Sequence, residues 1–147
     1  MASGVYLPSF EDVLEAVLAL NWDAETHKAA LFNATRAGAA NFNSDTAYSS
    51  TNEIVGTGYS AGGTVVTGTA FTRPGSGVAK YSSNAFQWTG STLSGVRWID
   101  FYADAVTTPV ADPLMFGIDL VSTYNTSDGT LLVTPHSNGL ATFDLTP

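Results

Sequence analysis

Residues 56–72 read GTGYSAGGTVVTGTAFT, and the fold turns on whether the first half of that stretch is a phosphate-cradling loop or a turn. Gly56, Gly58 and Ala61 stand where the dinucleotide fingerprint G-x-G-x-x-G/A wants small residues. That fingerprint must follow a strand, open a helix, and be followed roughly 20 residues later by an acid for the ribose. Here it runs directly into TVVTGTAFT, a β-branched run with strand character, and no Asp or Glu occurs between Glu53 and Asp100. The stretch therefore reads as a glycine turn in a β protein. Gly62 and Gly63 supply positive φ at a hairpin-type turn, while Gly56 and Gly58 loosen the approach to it.

Working outward, the same chemistry recurs. HKAALFNA (27–34), AFQWTG (85–90), GVRWIDFYAD (95–104), PLMFGIDLV (113–121), TLLVT (130–134) and LATFDL (140–145) are short, β-branched or aromatic, and bounded by Gly, Pro, Asn, Asp or Ser. One helix precedes them. Ser9 and Asp12 resemble a capping box, and Phe10, Val13, Leu14, Val17 and Leu18 repeat at helical spacing up to a stop at Asn21. The expected organisation is a single domain over 1–147: an extended arm at 1–8, a helix at 9–21, and a β domain at 26–147 containing a long loop at 35–63. The expected fold class is mainly β, an antiparallel β-sandwich or barrel-like domain with one short N-terminal amphipathic helix. Unpatterned loops of that length usually have a function or are ordered by a neighbour, so 35–63 is the expected contact arm.

Composition narrows the function. The chain of 147 residues has 44% hydrophobic but only 12% charged residues, a net charge of −8, and five scattered basic residues, Lys28, Arg36, Arg73, Lys80 and Arg97. Phosphate backbones would be repelled, so no nucleic-acid partner is expected. Cysteine is absent, which removes disulfides, thiolate metal sites and cysteine nucleophiles together. The start MASGVYLPSFEDV lacks a signal peptide's basic region and long apolar core, and no apolar run approaches the ~18–20 residues that span a bilayer, so no membrane contact is expected.

Catalytic constellations are thin. His27 and His136 are the only histidines, and His27 with Asp23 and Glu25 falls short of the three or four ligands of a zinc site. No G-x-S-x-G elbow exposes a serine. Asp100, Asp104, Asp112 and Asp119 lie on or beside consecutive strands, where a glycosidase pair or a shared Ca²⁺ competes with turn caps and strand-edge charges. Trp22, Trp88 and Trp98 could form a sugar-stacking platform, although Trp88 and Trp98 fall inside strands, where core positions are expected. The expectation is no catalytic residue, no metal and no cofactor.

Five blocks in order, NWDAETHKAALFNA, DTAYSSTNEIVGTGYSAGGTVVTG, FQWTGSTLSGVRWIDFYAD, PLMFGIDLV and TLLVTPHSNGLATFDL, span nearly the whole chain. Together they resemble a family of small virion proteins of tailed bacteriophages. Trp22, Asp23, Thr26, Lys28, Ala30 and Leu31 match the family's first strand, and Glu53 through Gly63 match its E-V-x-G-T-G-Y-x-A-G-G turn. Trp88, Arg97 and Trp98 match a strand pair, Pro113, Leu114, Gly117, Ile118 and Asp119 the next strand, and Gly139 with Leu140 the end. Pro135-His136 and Met115-Phe116 depart from the pattern and put local strand register in question.

The resemblance implies a non-enzymatic capsid decoration or cement protein. It would be made in the host cytoplasm, reside on the outer capsid surface, and bind the major capsid protein, as a homo-oligomer with a trimer favoured. A tail or head-fibre accessory protein and a carbohydrate-binding adsorption module are the alternatives. An acidic chain suits the shell exterior better than contact with packaged DNA. The expected partner-binding residues are Val5, Tyr6 and Leu7 in the N-terminal arm and Tyr48, Asn52 and Tyr59 in the long loop, because Tyr supplies large area and a hydrogen bond at interfaces.

Overall fold

The computed structural model describes residues 3–146, so the first two residues of the expected arm lie outside them. In chain order the elements are β1 (Gly4–Val5), α1 (Leu7–Leu14), β2 (His27–Phe32), α2 (Ala34–Ala39), β3 (Thr64–Val66) and β4 (Ala70–Gly75). They continue with β5 (Val78–Ser82), β6 (Phe86–Ser91), β7 (Val96–Ala103), β8 (Leu114–Tyr124), β9 (Gly129–Val133) and β10 (Ala141–Asp144). Every strand pair is antiparallel. A five-stranded sheet has the order β1-β8-β7-β2-β3, a three-stranded sheet the order β10-β5-β4, and β6 pairs with β9. The expected mainly antiparallel, sandwich-like β architecture with a short N-terminal helix is what the chain forms.

Strand periodicity explains the core. In the β2–β7 register, Ala29↔Phe101 and Leu31↔Ile99 point to one face of the large sheet, and Ala30↔Asp100 and Phe32↔Trp98 to the other. The first face packs on the two smaller sheets. Phe101 stacks on Phe116 at 4.4 Å and meets Phe86 of β6 at 5.8 Å, while Tyr81 of β5 meets Phe116 at 5.2 Å. Trp22 closes this cluster against Tyr81, Phe116 and Phe143. The second face is covered by Tyr6, by Ala37 of α2, and by Ala40 and Phe42. Both faces being covered, β7 reads as a nearly continuous apolar run instead of an alternating one.

Local chemistry departs from expectation at several points. Helix α1 begins at Leu7, two residues early, because Pro8 at its start has a preset φ and no N–H to satisfy. Tyr6 is the N-cap and makes no side-chain cap, while Ser9, expected as the cap, is buried and donates to the Thr46 carbonyl at 3.4 Å. The helix ends at Leu14 instead of Asn21, and Ala16 takes a left-handed φ of 59°. Leu18 and Leu20 are thereby delivered to the core by a turn that folds back on the helix end, with Val17 and Leu18 N–H donating to the Asp12 carbonyl, and the Asn21 side chain accepts from the N–H groups of Asp23 and Ala24.

The TVVTGTAFT run is two strands. Gly68, at φ 63°, turns the chain from β3 in the large sheet to β4 in the three-stranded one. Strand β5 was not expected, and neither was α2, which occupies the start of the long loop.

Candidate docking surface

The connection between β2 and β3, residues 33–63, dominates one side of the large sheet. It begins with a helix cap: the Asn33 side-chain oxygen accepts from the N–H groups of Thr35 and Arg36, which starts α2 immediately after β2. Helix α2 then lays Arg36 over the rings of Tyr6 and Phe32, at 5.8 and 5.9 Å from the centroids.

All three nitrogens of the Arg36 guanidinium donate. Its Nε donates to Asp100 at 2.8 Å, Nη1 to Asp45 at 2.6 Å, and Nη2 to the Tyr6 hydroxyl at 2.8 Å. Asp100 is 1% exposed and accepts in addition from Tyr6 Oη and from Trp98 Nε1 at 2.7 Å. A buried carboxylate is tolerable here because a cation and two neutral donors surround it. Burial opposes the charge on Arg36, but Asp100 outweighs it and pushes the guanidinium pKa above its ordinary value. Burial, reinforced by Asp100, raises the Tyr6 phenol and keeps it a neutral donor.

A second knot holds the rest of the connection. Glu53 Oε1 accepts from the Tyr59 hydroxyl and from Gly62 N–H, the latter at 2.7 Å, and Oε2 accepts from the Tyr48 hydroxyl. Tyr59 Oη in turn accepts from Leu31 N–H at 2.9 Å, and Ile54 N–H donates to the Leu31 carbonyl at 2.9 Å. The ring of Tyr48 stacks on Tyr102 at 4.6 Å, and Tyr102 Oη donates to the Gly62 carbonyl at 2.8 Å. Burial and the bond to Glu53 raise both the Tyr48 and Tyr59 phenols.

The glycines of the opening stretch serve this knot. Gly62 and Gly63 have φ of 89° and 74°, as their expected turn role requires. A Cβ on Gly63 would collide with the Ala29 carbonyl of β2, and one on Gly56 with the Thr92 carbonyl. The motif lets the loop backbone lie directly against β2 and against the residue that follows β6.

These contacts relocate the expected partner-binding residues. Tyr6 is wholly buried, so it anchors the arm instead of offering a surface; its hydroxyl is needed by Asp100 and Arg36. Val5 pairs with Phe116 in β1 and is half-buried, and the expected extended arm is thus strand and helix from Gly4 onward. Leu7 remains exposed. Tyr48 and Tyr59 are half-buried braces whose hydroxyls serve Glu53, and Asn52 sits at φ 66° with its carbonyl accepting from Asn33 N–H. Sequence reasoning missed Glu53, Arg36 and Asp100 as organisers. The available signal was their charge in a chain where charge is scarce.

The surface that remains is neutral and polar. Ser49, Ser50, Thr51, Thr57 and Ser60 are exposed, and Val55 stands 92% exposed among them. Beside this crest a groove of about 490 Å³ runs between α2 and residues 44–52, lined by Ala39, Ser44, Thr46, Tyr48, Thr51 and Asn52 with Arg36 at its base.

The other candidates have structural partners. Lys28 meets Asp104 at 2.9 Å, and Arg97 holds Asp119 through two hydrogen bonds that push the Asp119 carboxyl far below the ordinary range. His27 is buried between the Tyr81 hydroxyl and the Asn21 carbonyl, and exposed His136 accepts from Asn138 N–H through Nδ1. All three tryptophans are buried. Among the described residues no group of three or more His, Asp or Glu side chains is placed to hold a metal ion, and no helix is long and apolar enough to cross a membrane. No protein-family model, curated protein or solved structure matches the chain.

Proposed function

We propose that the protein is a non-enzymatic structural component of a tailed-bacteriophage virion. Its role is that of a decoration protein that binds the outer surface of the assembled major capsid protein and stabilises the head. The ordered sequence blocks that resemble small virion proteins support this reading, and one structural observation carries it. Residues 41–61 form a polar crest whose two acids are bound internally, Asp45 by Arg36 and Glu53 by Tyr48, Tyr59 and Gly62, and whose backbone is pinned by the glycine close approaches. A crest already ordered before contact loses little conformational entropy on docking to another protein, which removes one of the costs of association. A ligand that binds only the assembled shell stabilises it by RT ln(1 + [L]/Kd), about 2.7 kcal/mol per site at a hundredfold excess over Kd.

The test is addition of purified protein to expanded heads that lack it, with imaging of occupancy and measurement of the temperature of DNA release. Saturable density at symmetric outer-shell sites, a raised release temperature, and loss of both in Val55→Asp support the reading. Bare heads, with density on the tail or its fibres, would replace it with the accessory-protein alternative.

A further inference from the structure

Main-chain groups at a sheet edge either find a guard or stand ready for another strand. Strand β4 is an edge of the three-stranded sheet; its Phe71 N–H donates to the Asp23 carboxylate at 2.7 Å, and its Pro74 has no N–H to offer. Strand β10, the opposite edge, ends in charged Asp144. Past its pairing with β1, β8 has its Asp119 N–H bonded to Ser3 Oγ at 3.0 Å and its Val121 N–H to the Asp119 carboxylate at 2.8 Å. Val121 also takes a left-handed φ of 64°, which bends that edge away from a flat strand.

Strand β9 has none of these devices. It pairs only with β6, so alternate N–H and C=O groups along it face outward. Among the described residues no group outside β6 bonds to the main chain of Thr130–Val133. Neither β6 nor β9 contains a charged residue or a proline. Leu131 and Val133 pack inward on the core, while Leu132 turns outward opposite exposed Gln87 and is 55% exposed.

This bare edge adjoins the crest. Thr92, directly after β6, donates its N–H to the Thr57 carbonyl of the crest at 3.0 Å, and its hydroxyl accepts from Asp128 N–H at 3.0 Å, directly before β9. The crest and the β9 edge therefore border one ribbon, and a protein seated on the first is beside the second.

We propose that β9 receives a strand from the protein on which the crest docks: an extended, uncharged segment with alternating apolar side chains, hydrogen-bonded along Thr130–Val133. The inference rests on the capsid reading, under which that protein is the major capsid protein, and it specifies how the contact is made. The edge dictates the occupant's chemistry. Unpaired main-chain groups are best satisfied by another main chain, and a charged side chain laid beside Leu132 would find no counter-charge on β6 or β9. A second copy is the poorer occupant, because two chains of net charge −8 repel.

Amide exchange of the full chain, read by mass spectrometry free and on expanded heads, tests this. Exchange over Thr130–Val133 should slow at least about tenfold on heads. Leu132→Lys, at an exposed edge position, should weaken head binding at least about tenfold with unchanged melting. Gln87→Lys puts the same charge on the same outer face but on the inner strand, and should bind as the wild type does. Bound heads without protection at Thr130–Val133, or undiminished binding of Leu132→Lys, overturn the inference and leave the capsid reading standing. Equal loss in both lysine variants assigns the contact to the outer face and overturns strand addition. Protection that grows with concentration in the free chain gives the edge to a second copy, which also overturns it. Bare heads overturn the reading and the inference together.

Discussion

Arg36 Nε meets Asp100 Oδ2 at 2.8 Å beneath helix α2, joining the long β2–β3 connection to the centre of β7. The pair is nearly enclosed, with side-chain exposures of 16% and 2%. Removing one member of such a pair leaves an uncompensated buried charge, which costs about 3–5 kcal/mol. Arg36→Ala should therefore lower the urea midpoint by that equivalent, and Arg36→Lys should recover only part of it, since one ammonium cannot reproduce the three-way donation to Asp100, Asp45 and Tyr6.

Glu53 governs the crest. Glu53→Gln keeps one acceptor oxygen but replaces the other with a donor, and it cannot accept from Tyr48, Tyr59 and Gly62 together. The expected loss is about 1–3 kcal/mol. Amide exchange read by mass spectrometry should accelerate at Gly62 and Leu31 while the β7–β8 pairing stays protected. Unchanged exchange at both amides would show that the clasp does not order the loop.

Two glycines give opposite outcomes. Gly63→Ala places a Cβ against the Ala29 carbonyl at a residue of φ 74°, and should cost more than the ~1–2 kcal/mol of left-handed backbone alone. Gly38 lies in α2 with open space around its would-be Cβ, so Gly38→Ala should stabilise by up to about 1 kcal/mol. Thermal melting of both variants checks the pair of signs.

His27 sets a pH dependence. Burial lowers its pKa from 6.5, with the hydrogen bond to the Asn21 carbonyl opposing the shift. Below that value the unfolded chain binds a proton that the folded chain resists, so stability falls as pH drops through 6.5 toward the lower folded-state value. Above 6.5 this contribution is fully present. Urea midpoints between pH 7.5 and 5.5 should decline more steeply for the wild type than for His27→Gln; parallel slopes would remove His27 as the cause.

The β elements at 85–90, 95–104 and 113–121 were legible because aromatic and β-branched runs between turn residues suit a pleated, buried surface whatever lies opposite. The glycine stretch was legible as a turn for the same local reason: positive φ is a property of the residue. The Rossmann alternative failed on sequence context alone. The ends of α1, the break at Gly68 and the strand β5 were not legible, since each depends on which sheet a short segment joins.

The candidate site divides along the same line. The sequence by itself determined a cysteine-free, acidic, mainly β chain and marked residues 35–63 as exceptional. Only the tertiary structure decided that Tyr6, Tyr48 and Tyr59 face inward, and that Glu53, Arg36 and Asp100 organise the connection. A tyrosine suits an interface and a core equally well by composition. Its direction is chosen by whether a buried acceptor waits for its hydroxyl, and those acceptors are Asp100, 94 residues from Tyr6, and a Glu53 fixed across β2. Such pairings come from sheet register, which no local pattern encodes.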